Sequence, residues 1–400
     1  MLDFRFTEGQ ELLRNNVRRF GRDRVAPILD QMEEEREIPD GIVKGLADMG
    51  LAAMSISEAW GGGGLDAVAA GIAAEELAYA DSSCAIPAFF LIQNAWGYVL
   101  DKYGTAQAKG EVFPALKRGD AFLGIATTEP DIGSDLAGMK TTIAREGDGY
   151  VINGEKSYIS GVREVQRYGG GYVVLARMAP ELGTRGMTLF YLPVDGTPGI
   201  EIHYLEELGR EGVSWGGFYI DGVHIPGHYL IGEENRGFYI VHEGYEFARG
   251  MIALVCIGAA TRSLENAMGY MRERRAFGRA IAHYEGLQFA LAEDYSRVEA
   301  ARLLAYRALW LYDREQKGEA VSRFEVSKAV AMAKMLAPVW AFAAINDAMQ
   351  WQGAFGYSRR CQEQRALRGV RSFTLAEGST EVMKLIVARE LLGREFLAYR

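Results

Sequence analysis

A carboxylate beside a glycine, close to the C-terminus, is the first feature of this sequence that could do chemistry. The segment Glu377–Glu381 has the sequence Glu-Gly-Ser-Thr-Glu and follows the small residue Ala376 in a largely apolar stretch. Either hydroxyl residue can cap a helix, and the last glutamate suits the positive end of its dipole. Only Glu377 is left without a structural explanation. A carboxylate partly removed from water has a raised pKa and can act as a general base.

A second polar segment, Thr127–Asp135, has the sequence Thr-Thr-Glu-Pro-Asp-Ile-Gly-Ser-Asp. Its hydroxyl and short acidic side chains can bond to the backbone and form a capped loop. They can equally form the polar edge of a pocket for a planar cofactor, with Thr127 and Thr128 facing heteroatoms. The residues alone favour neither interpretation.

Other kinds of site are not expected. Gly62–Ala67 fits the pattern GxGxxA, but no series of parallel strands surrounds it, so we predict a loop between helices and no nicotinamide site. The five histidines and three cysteines lack the spacing of metal ligands or of a disulfide framework.

Hydrophobic periodicity predicts helices in the first third of the chain. Thr7 and Gln10 have capping-box spacing, and apolar residues follow at helical intervals. Further helices are predicted over Asp40–Met49, Ala67–Tyr79, Phe89–Lys102 and Thr105–Leu116.

The pattern changes to short strands near residue 121. Asn153-Gly154 between apolar residues predicts a hairpin with a type I′ turn. Short strands are predicted over Gly171–Ala176, Met187–Val194, Glu201–Tyr204 and Phe218–Ile220. Helices do not alternate with them, so a small barrel or sandwich is expected and parallel βαβ units are not.

From about Gly237 the pattern is helical again, with long helices predicted over Glu285–Lys317, Ser322–Gly353 and Thr380–Ala398. We therefore predict a mainly α fold with an inserted β region. The expected domains are an N-terminal helical domain (1–120), a middle β-barrel domain (121–235) and a C-terminal helical bundle (236–400).

The composition of the 400 residues is that of a globular protein, with 49% hydrophobic and 24% charged residues. A net charge of −9 disfavours nucleic-acid binding, so local cations must hold any anionic ligand. The longest apolar run, Met335–Ile345, is shorter than the roughly 20 residues that span a bilayer. Because Met1–Arg5 also lacks the features of a signal peptide, we expect a cytoplasmic protein with no membrane span.

Taken together, these segments resemble the acyl-CoA dehydrogenase family over essentially the whole chain. Thr127–Asp135 resembles the family's first motif. Gln350–Tyr357, the pair Glu377-Gly378 and Leu385–Glu390 resemble its second. Arg274–Gly278 resembles the segment by which one subunit reaches FAD in another. The resemblance implies a four-helix bundle at the C-terminus.

The resemblance also implies an activity, which is FAD-dependent α,β-dehydrogenation of an acyl-CoA thioester to the 2-enoyl-CoA. Glu377 would remove the α-proton, and flavin N5 would take the β-hydrogen as hydride. The backbone amide of Glu377 and a flavin ribityl hydroxyl would bond the thioester carbonyl, since the developing enolate needs stabilisation. Electron-transfer flavoprotein is the implied acceptor and a homotetramer, a dimer of dimers, the implied assembly.

Further residue roles follow from the resemblance, position by position. The isoalloxazine would be surrounded by Thr127, Thr128, Tyr158 and Ser160. The ADP side of FAD would be held, partly from a neighbouring subunit, by Arg274, Phe277, Gln288, Gln350, Gly353 and Ser379. The acyl-CoA would contact Ser134, Glu246, Arg249, Ala376 and Gly378.

The chain departs from the family pattern at several positions. Ala248 occupies the position where some relatives have their base, which leaves Glu377 alone in that role. Glu285 replaces a flavin-contacting glutamine, which puts that contact in doubt, and Tyr158 and Ser160 replace the commoner Trp and Thr. Gly369 replaces an aspartate after Arg368, so a local ion pair is expected to be missing.

Two departures concern the acyl group. Ala376 replaces a tyrosine common in enzymes for straight chains, and the space this leaves predicts a branched, cyclic or aryl-bearing acyl group. The helix from Ile86 to Tyr98 has no arginine at the position where glutaryl-CoA dehydrogenases have one. Arg163 could still meet a distal carboxylate, although a solvated loop position is the simpler expectation.

Three alternative functions use the same scaffold. A flavin monooxygenase has no need of an α-proton base, so Glu377 argues against it. An acyl-CoA oxidase would differ by rapid reoxidation of its reduced flavin in air. A catalytically silent flavoprotein would function without the carboxylate of Glu377.

Overall fold

The computed structural model describes residues 4–398, so the first three residues of the segment used to exclude a signal peptide lie outside the described part. The N-terminal region contains six α-helices, which are α1 (Glu8–Phe20), α2 (Leu29–Glu35), α3 (Asp40–Asp48), α4 (Ala67–Ala80), α5 (Ala85–Tyr103) and α6 (Ala106–Lys117). The capping box predicted at Thr7 and Gln10 is formed. The glycine-rich segment before α4 is a loop between helices, as predicted.

Helix α5 begins at Ala85, earlier than the predicted start at Phe89. The carboxylate of Asp81 explains the difference, because it accepts hydrogen bonds from the backbone N–H groups of Ser83 (3.1 Å) and Ile86 (2.8 Å). These bonds satisfy donors that a helix start otherwise leaves free. The earlier start matters for the site, since it brings the first turn of α5 close to the loop that contains Arg210.

The middle region is a sheet of eight strands with one short helix. The elements are β1 (Phe122–Ala126), β2 (Thr142–Glu146), β3 (Gly149–Ser160), α7 (Val162–Tyr168), β4 (Gly170–Arg177), β5 (Met187–Pro193), β6 (Ile200–Leu205), β7 (Trp215–Pro226) and β8 (Leu230–Ile231). Their order is β6-β7-β3-β2-β4-β5-β8, with β1 paired to β4. Pairing is mainly antiparallel, but β1 runs parallel to β4 along its whole length, which the sequence did not predict.

The hairpin predicted at Asn153-Gly154 is wrong. Both residues lie inside the single strand β3, and the turn falls earlier, between β2 and β3. Asn153 and Gly154 form an irregularity in the pairing with β7, where Asn153 Oδ1 accepts a hydrogen bond from the backbone N–H of Gly222. At Gly154, with φ +149°, a Cβ atom would lie 2.6 Å from Thr141 Oγ1, so the glycine is needed for a close approach of backbones.

The C-terminal region begins with one very long helix. Its elements are α8 (Gly237–Glu273), β9 (Arg275–Ala276), β10 (Arg279–Ala280), α9 (Glu285–Gln316), α10 (Arg323–Trp351), α11 (Glu363–Phe373) and α12 (Thr380–Leu392). Helices α8, α9, α10 and α12 form the expected bundle, and α4 and α5 of the N-terminal region pack against α8. Helix α12 ends at Leu392 rather than at the predicted end, Ala398. The residue that follows it, Gly393, adopts φ +102°.

Helices α8 and α10 are long and apolar enough, by length and composition alone, to cross a membrane. The most apolar window of α8 is 89% buried inside the protein and that of α10 is 56% buried. Packing inside the protein explains the apolar character of both helices. Helix α8 packs against helices of both helical regions and against the sheet, and α10 packs against α8, α9, α11 and α12.

Candidate active site

A cavity of about 550 Å³ lies where the three regions meet. Its wall is formed by α5, the loop after β1, the end of β3, the loop between β6 and β7, one face of α8, and the segment from α11 to α12. Nine predicted site residues lie on this wall, namely the expected base Glu377 and the expected binding residues Thr127, Thr128, Ser134, Tyr158, Ser160, Arg249, Ala376 and Gly378.

The segment that carries Glu377 is a strained turn between α11 and α12. Glu377 has φ +56°, which is unusual for a residue with a side chain, and Gly378 has φ +95°. The positive φ of Gly378 is what favours glycine there, since the atom nearest to an added Cβ, at 2.8 Å, is the flexible end of Met383. Ser379 then caps α12 by accepting a hydrogen bond from the backbone N–H of Val382 at 3.3 Å.

The carboxylate of Glu377 is not neutralised by a bonded partner. Within the described residues, its Oε2 atom is shielded from solvent and has no hydrogen-bond partner. Burial raises the pKa of Glu377 to about 7, although the positive charges of Arg249 and Lys334 oppose the rise. A carboxylate with this pKa can take up a proton near neutral pH, as a general base requires.

Two buried cations hold the backbone of this turn. Arg249 Nε donates a hydrogen bond of 2.7 Å to the carbonyl oxygen of Glu377, and Lys334 Nζ donates one to the carbonyl oxygen of Gly378. Burial, together with the nearby charge of Arg249, lowers the pKa of Lys334 to about 8. The two cations therefore fix the strained turn and also bring positive charge close to the carboxylate.

The loop after β1 is braced by a buried ion pair. Lys156 Nζ lies 3.1 Å from Glu129 Oε1, and Glu129 also accepts hydrogen bonds from the backbone N–H groups of Lys140 and Thr141. Burial lowers the pKa of Lys156 to about 8, while its charge helps to keep the pKa of Glu129 below the usual value despite burial. The loop is thus both the capped structure and the pocket edge that the sequence left as alternatives.

The polar edge of the cavity fits a planar cofactor. Thr127 Oγ1 lies 2.6 Å from the hydroxyl oxygen of Tyr245, and the ring of Tyr158 packs against Trp215 with centroids 5.3 Å apart. The pairing of β3 with β7 skips Tyr158, which has φ +59°, so its backbone groups lie outside the ladder beside Ser160. Hydroxyl groups and open backbone next to aromatic rings suit the heteroatoms and the faces of a flavin.

Glu246, predicted on the CoA path, does not lie on the cavity wall. It is buried, and its Oε2 atom lies 2.9 Å from Arg323 on α10. Its other oxygen accepts a hydrogen bond from Ser327. The ion pair with Arg323 and the hydrogen bond with Ser327 therefore give Glu246 a structural role between α8 and α10, although it lies three residues before Arg249 and is close enough to feel its charge.

The residues expected on the ADP side of FAD lie outside this cavity. Phe277 is 97% exposed, Gln288 bonds the carbonyl oxygen of Ala282, and Gly353 follows the end of α10. The complete set outside the wall is Arg274, Phe277, Gln288, Gln350, Gly353 and Ser379, together with Glu285 at the start of α9. These residues therefore do not share the cavity wall with Glu377.

Two arginines named in the sequence analysis have partners outside any substrate contact. Gly369 cannot pair with a cation, and Arg368 pairs instead with Glu33 at 2.6 Å and with Glu211. Gly369 itself packs against the backbone of Ser83, which leaves no space for a side chain. Arg163 lies outside the cavity on α7, where it bonds the carbonyl oxygen of Arg36.

Sequence reasoning missed three cavity-side residues. Lys334 interrupts the otherwise apolar stretch from Ala329 to Ile345 of α10, and that isolation was the available signal. Arg210 lies in a loop of mixed polarity, and Tyr245 in a helix of predominantly apolar residues, so neither position stood out. In the part of the chain that the structure describes, no group of three His, Cys, Asp or Glu side chains could hold a metal ion.

Three family models match the chain in succession. They are described as the N-terminal domain of acyl-CoA dehydrogenase (residues 7–120), its middle domain (124–223) and its C-terminal domain (235–392). An acyl-CoA dehydrogenase of Bacillus subtilis is 32% identical, covering 97% of this chain and 99% of its own. A 3-(aryl)acrylate reductase of Clostridium sporogenes is 30% identical, covering 97% of this chain and 99% of its own.

A solved glutaryl-coenzyme A dehydrogenase in complex with glutaryl-CoA has the same fold. Its TM-score is 0.90 at 30% identity, with 98% of this chain and 97% of that chain covered. Together with the buried carboxylate, these likenesses define the class as FAD-dependent oxidoreductases. The chain belongs to the acyl-CoA dehydrogenase family.

Proposed function

We propose that the protein catalyses the α,β-dehydrogenation of an acyl-CoA thioester, with Glu377 as the base that removes the α-proton. The observation that carries this proposal is the Glu377 carboxylate, whose Oε2 atom is buried and unpaired on the wall of a largely apolar cavity. A buried carboxylate without a partner is costly unless it has a function at that place.

The chain's own residues would bind, orient and deprotonate the substrate. Thr127, Thr128, Tyr158 and Ser160 would hold the flavin ring, and bound FAD would supply the acceptor that takes the β-hydrogen as hydride. Arg249 and Lys334 would keep the Glu377 turn in place, so that its backbone amide can donate to the thioester carbonyl as negative charge develops there. The apolar wall from α5 excludes water from this step.

The acyl group that we propose is branched, cyclic or aryl-bearing. Ala376 lies on the cavity wall next to Glu377, where a methyl group leaves space beside the reacting carbons. The similar Clostridium sporogenes protein acts, by its name, on 3-arylacrylates, which supports an aryl-bearing group. We further propose electron-transfer flavoprotein as acceptor, a homotetramer as the assembly and the cytoplasm as the location.

An anaerobic titration tests this function directly. The FAD-loaded protein is titrated with straight-chain, branched, cyclic, aryl-substituted and dicarboxylic acyl-CoA thioesters, and the oxidised flavin band is followed. We expect one or more classes to bleach the band. Absence of bleaching by every thioester would favour the monooxygenase or the silent flavoprotein, and rapid reoxidation in air would favour the oxidase.

The rate of flavin reduction should depend on pH through Glu377. The base acts only when ionised, so we expect the second-order rate constant at low thioester concentration to rise with pH, pass its half-maximum near the pKa of about 7 and level off above it. Stopped-flow reduction across this range is the measurement. A rate that does not change between pH 5 and pH 8 would contradict a base with this pKa.

A further inference from the structure

An arginine without a bonded partner lies in the cavity wall. Arg210 belongs to the loop between β6 and β7, has φ +65°, and packs its guanidinium 5.3 Å from the centre of the Phe373 ring. Within the described residues, its Nε atom is shielded from solvent and has no hydrogen-bond partner. A buried guanidinium is unfavourable unless an anion or several acceptors compensate for its lost hydration.

Two carboxylates close to Arg210 in the sequence, Glu207 and Glu211, already bind other arginines. Glu207, which also lies on the cavity wall, pairs with Arg36 at 2.7 Å. Glu211, the next residue after Arg210, pairs with Arg368. Because these carboxylates are held by other cations, the donors of Arg210 are free to bind a ligand in the cavity.

The surroundings of Arg210 indicate the kind of ligand. Its loop packs against the first turn of α5, since a Cβ atom on Gly212 would lie 2.9 Å from the Cβ atom of Ala85. The same helix lines the cavity with Ala88 and Leu91, which are apolar. A ligand that fits this wall has an apolar middle and, at Arg210, a group that accepts hydrogen bonds from a cation.

We propose that Arg210 binds the carboxylate at the far end of a dicarboxylic acyl group whose thioester end lies at Glu377. Arginine suits this role because its planar donors match the two oxygens of a carboxylate. The proposal rests on the proposed dehydrogenation and concerns the far end of the acyl group, which it makes anionic whether or not the carbons beside Ala376 are branched. It also replaces Arg163, which the sequence suggested for the same contact.

Matched thioester pairs test the proposal. Succinyl-, glutaryl- and adipyl-CoA are each compared with the monocarboxylic thioester of the same carbon number, and dissociation constants are obtained from the change in the flavin spectrum. We expect at least one dicarboxylic thioester to bind about 10- to 100-fold more tightly than its partner. Arg210→Met should reduce this ratio to near one, Arg210→Lys should retain part of it, and the control Arg163→Met should retain all of it.

The outcomes separate this inference from the proposed function. If monocarboxylic thioesters bleach the flavin but no dicarboxylic thioester is preferred, the inference is overturned and the dehydrogenation stands. If no thioester of either kind bleaches the flavin, the proposed function itself fails. An Arg210→Met variant that loses FAD, or that weakens all thioesters equally, would place the guanidinium against the cofactor and would also overturn the inference.

Discussion

Replacing Glu377 by glutamine should slow flavin reduction by acyl-CoA by about 10²- to 10⁴-fold, the usual contribution of a positioned general base. Glutamine has nearly the same shape and can keep the turn, but it cannot accept the α-proton. Anaerobic single-turnover reduction at saturating thioester measures the chemical step apart from binding. A matched control is Glu381→Gln, because Glu381 lies on the first turn of α12 outside the cavity.

The same variant should also change stability in a pH-dependent way. The pKa of Glu377 is raised from 4.5 to about 7 in the folded protein, so ionisation disfavours folding progressively as pH rises through that window. Glu377→Gln removes this cost and should unfold at higher temperature than the wild type at pH 8, with little gain at pH 4.

The catalytic prediction has its own contrary outcome. A Glu377→Gln variant that keeps more than a tenth of the wild-type rate of flavin reduction would contradict the assignment of the base.

Much of the fold could be predicted from the sequence because its signals are local. Apolar periodicity and the capping box located most helices, and turn residues separated most strands. The signal failed at Asn153-Gly154, where residues that favour a two-residue turn form an irregularity inside a long strand. Pairing with β7 and the close approach of Thr141 decide that conformation, and both partners are distant in sequence.

The candidate site was predictable only in part, for a related reason. Glu377 and the loop after β1 stood out because their residue types have no sufficient structural explanation. Arg210 and Lys334 become meaningful only when chain segments far apart come together, since Arg210 meets Phe373 and Lys334 meets Gly378. Glu246 was placed on the CoA path by resemblance, but the structure pairs its carboxylate with Arg323 on α10, a contact that the local sequence does not indicate.

Lys334 should tune the base without touching the substrate. Its charge opposes the burial that raises the pKa of Glu377, so Lys334→Met should raise that pKa further and move the pH profile of flavin reduction to higher pH. For a shift of about one unit, the rate at pH 6 falls about tenfold, whereas at high pH the two rates converge on the same plateau. Stopped-flow pH profiles of the FAD-loaded variants measure this shift.

Two comparisons distinguish this effect from simple damage to the fold. Lys334→Arg keeps the positive charge and should shift the profile less than Lys334→Met does. Lys384→Met removes an exposed lysine from α12 and should leave the profile unchanged. If Lys334→Met lowers the rate equally at every pH, Lys334 acts only by holding the carbonyl of Gly378, and the electrostatic role is wrong. A shift toward higher pH instead means that the burial of Glu377 and the charge of Lys334 together set the pH at which the base works.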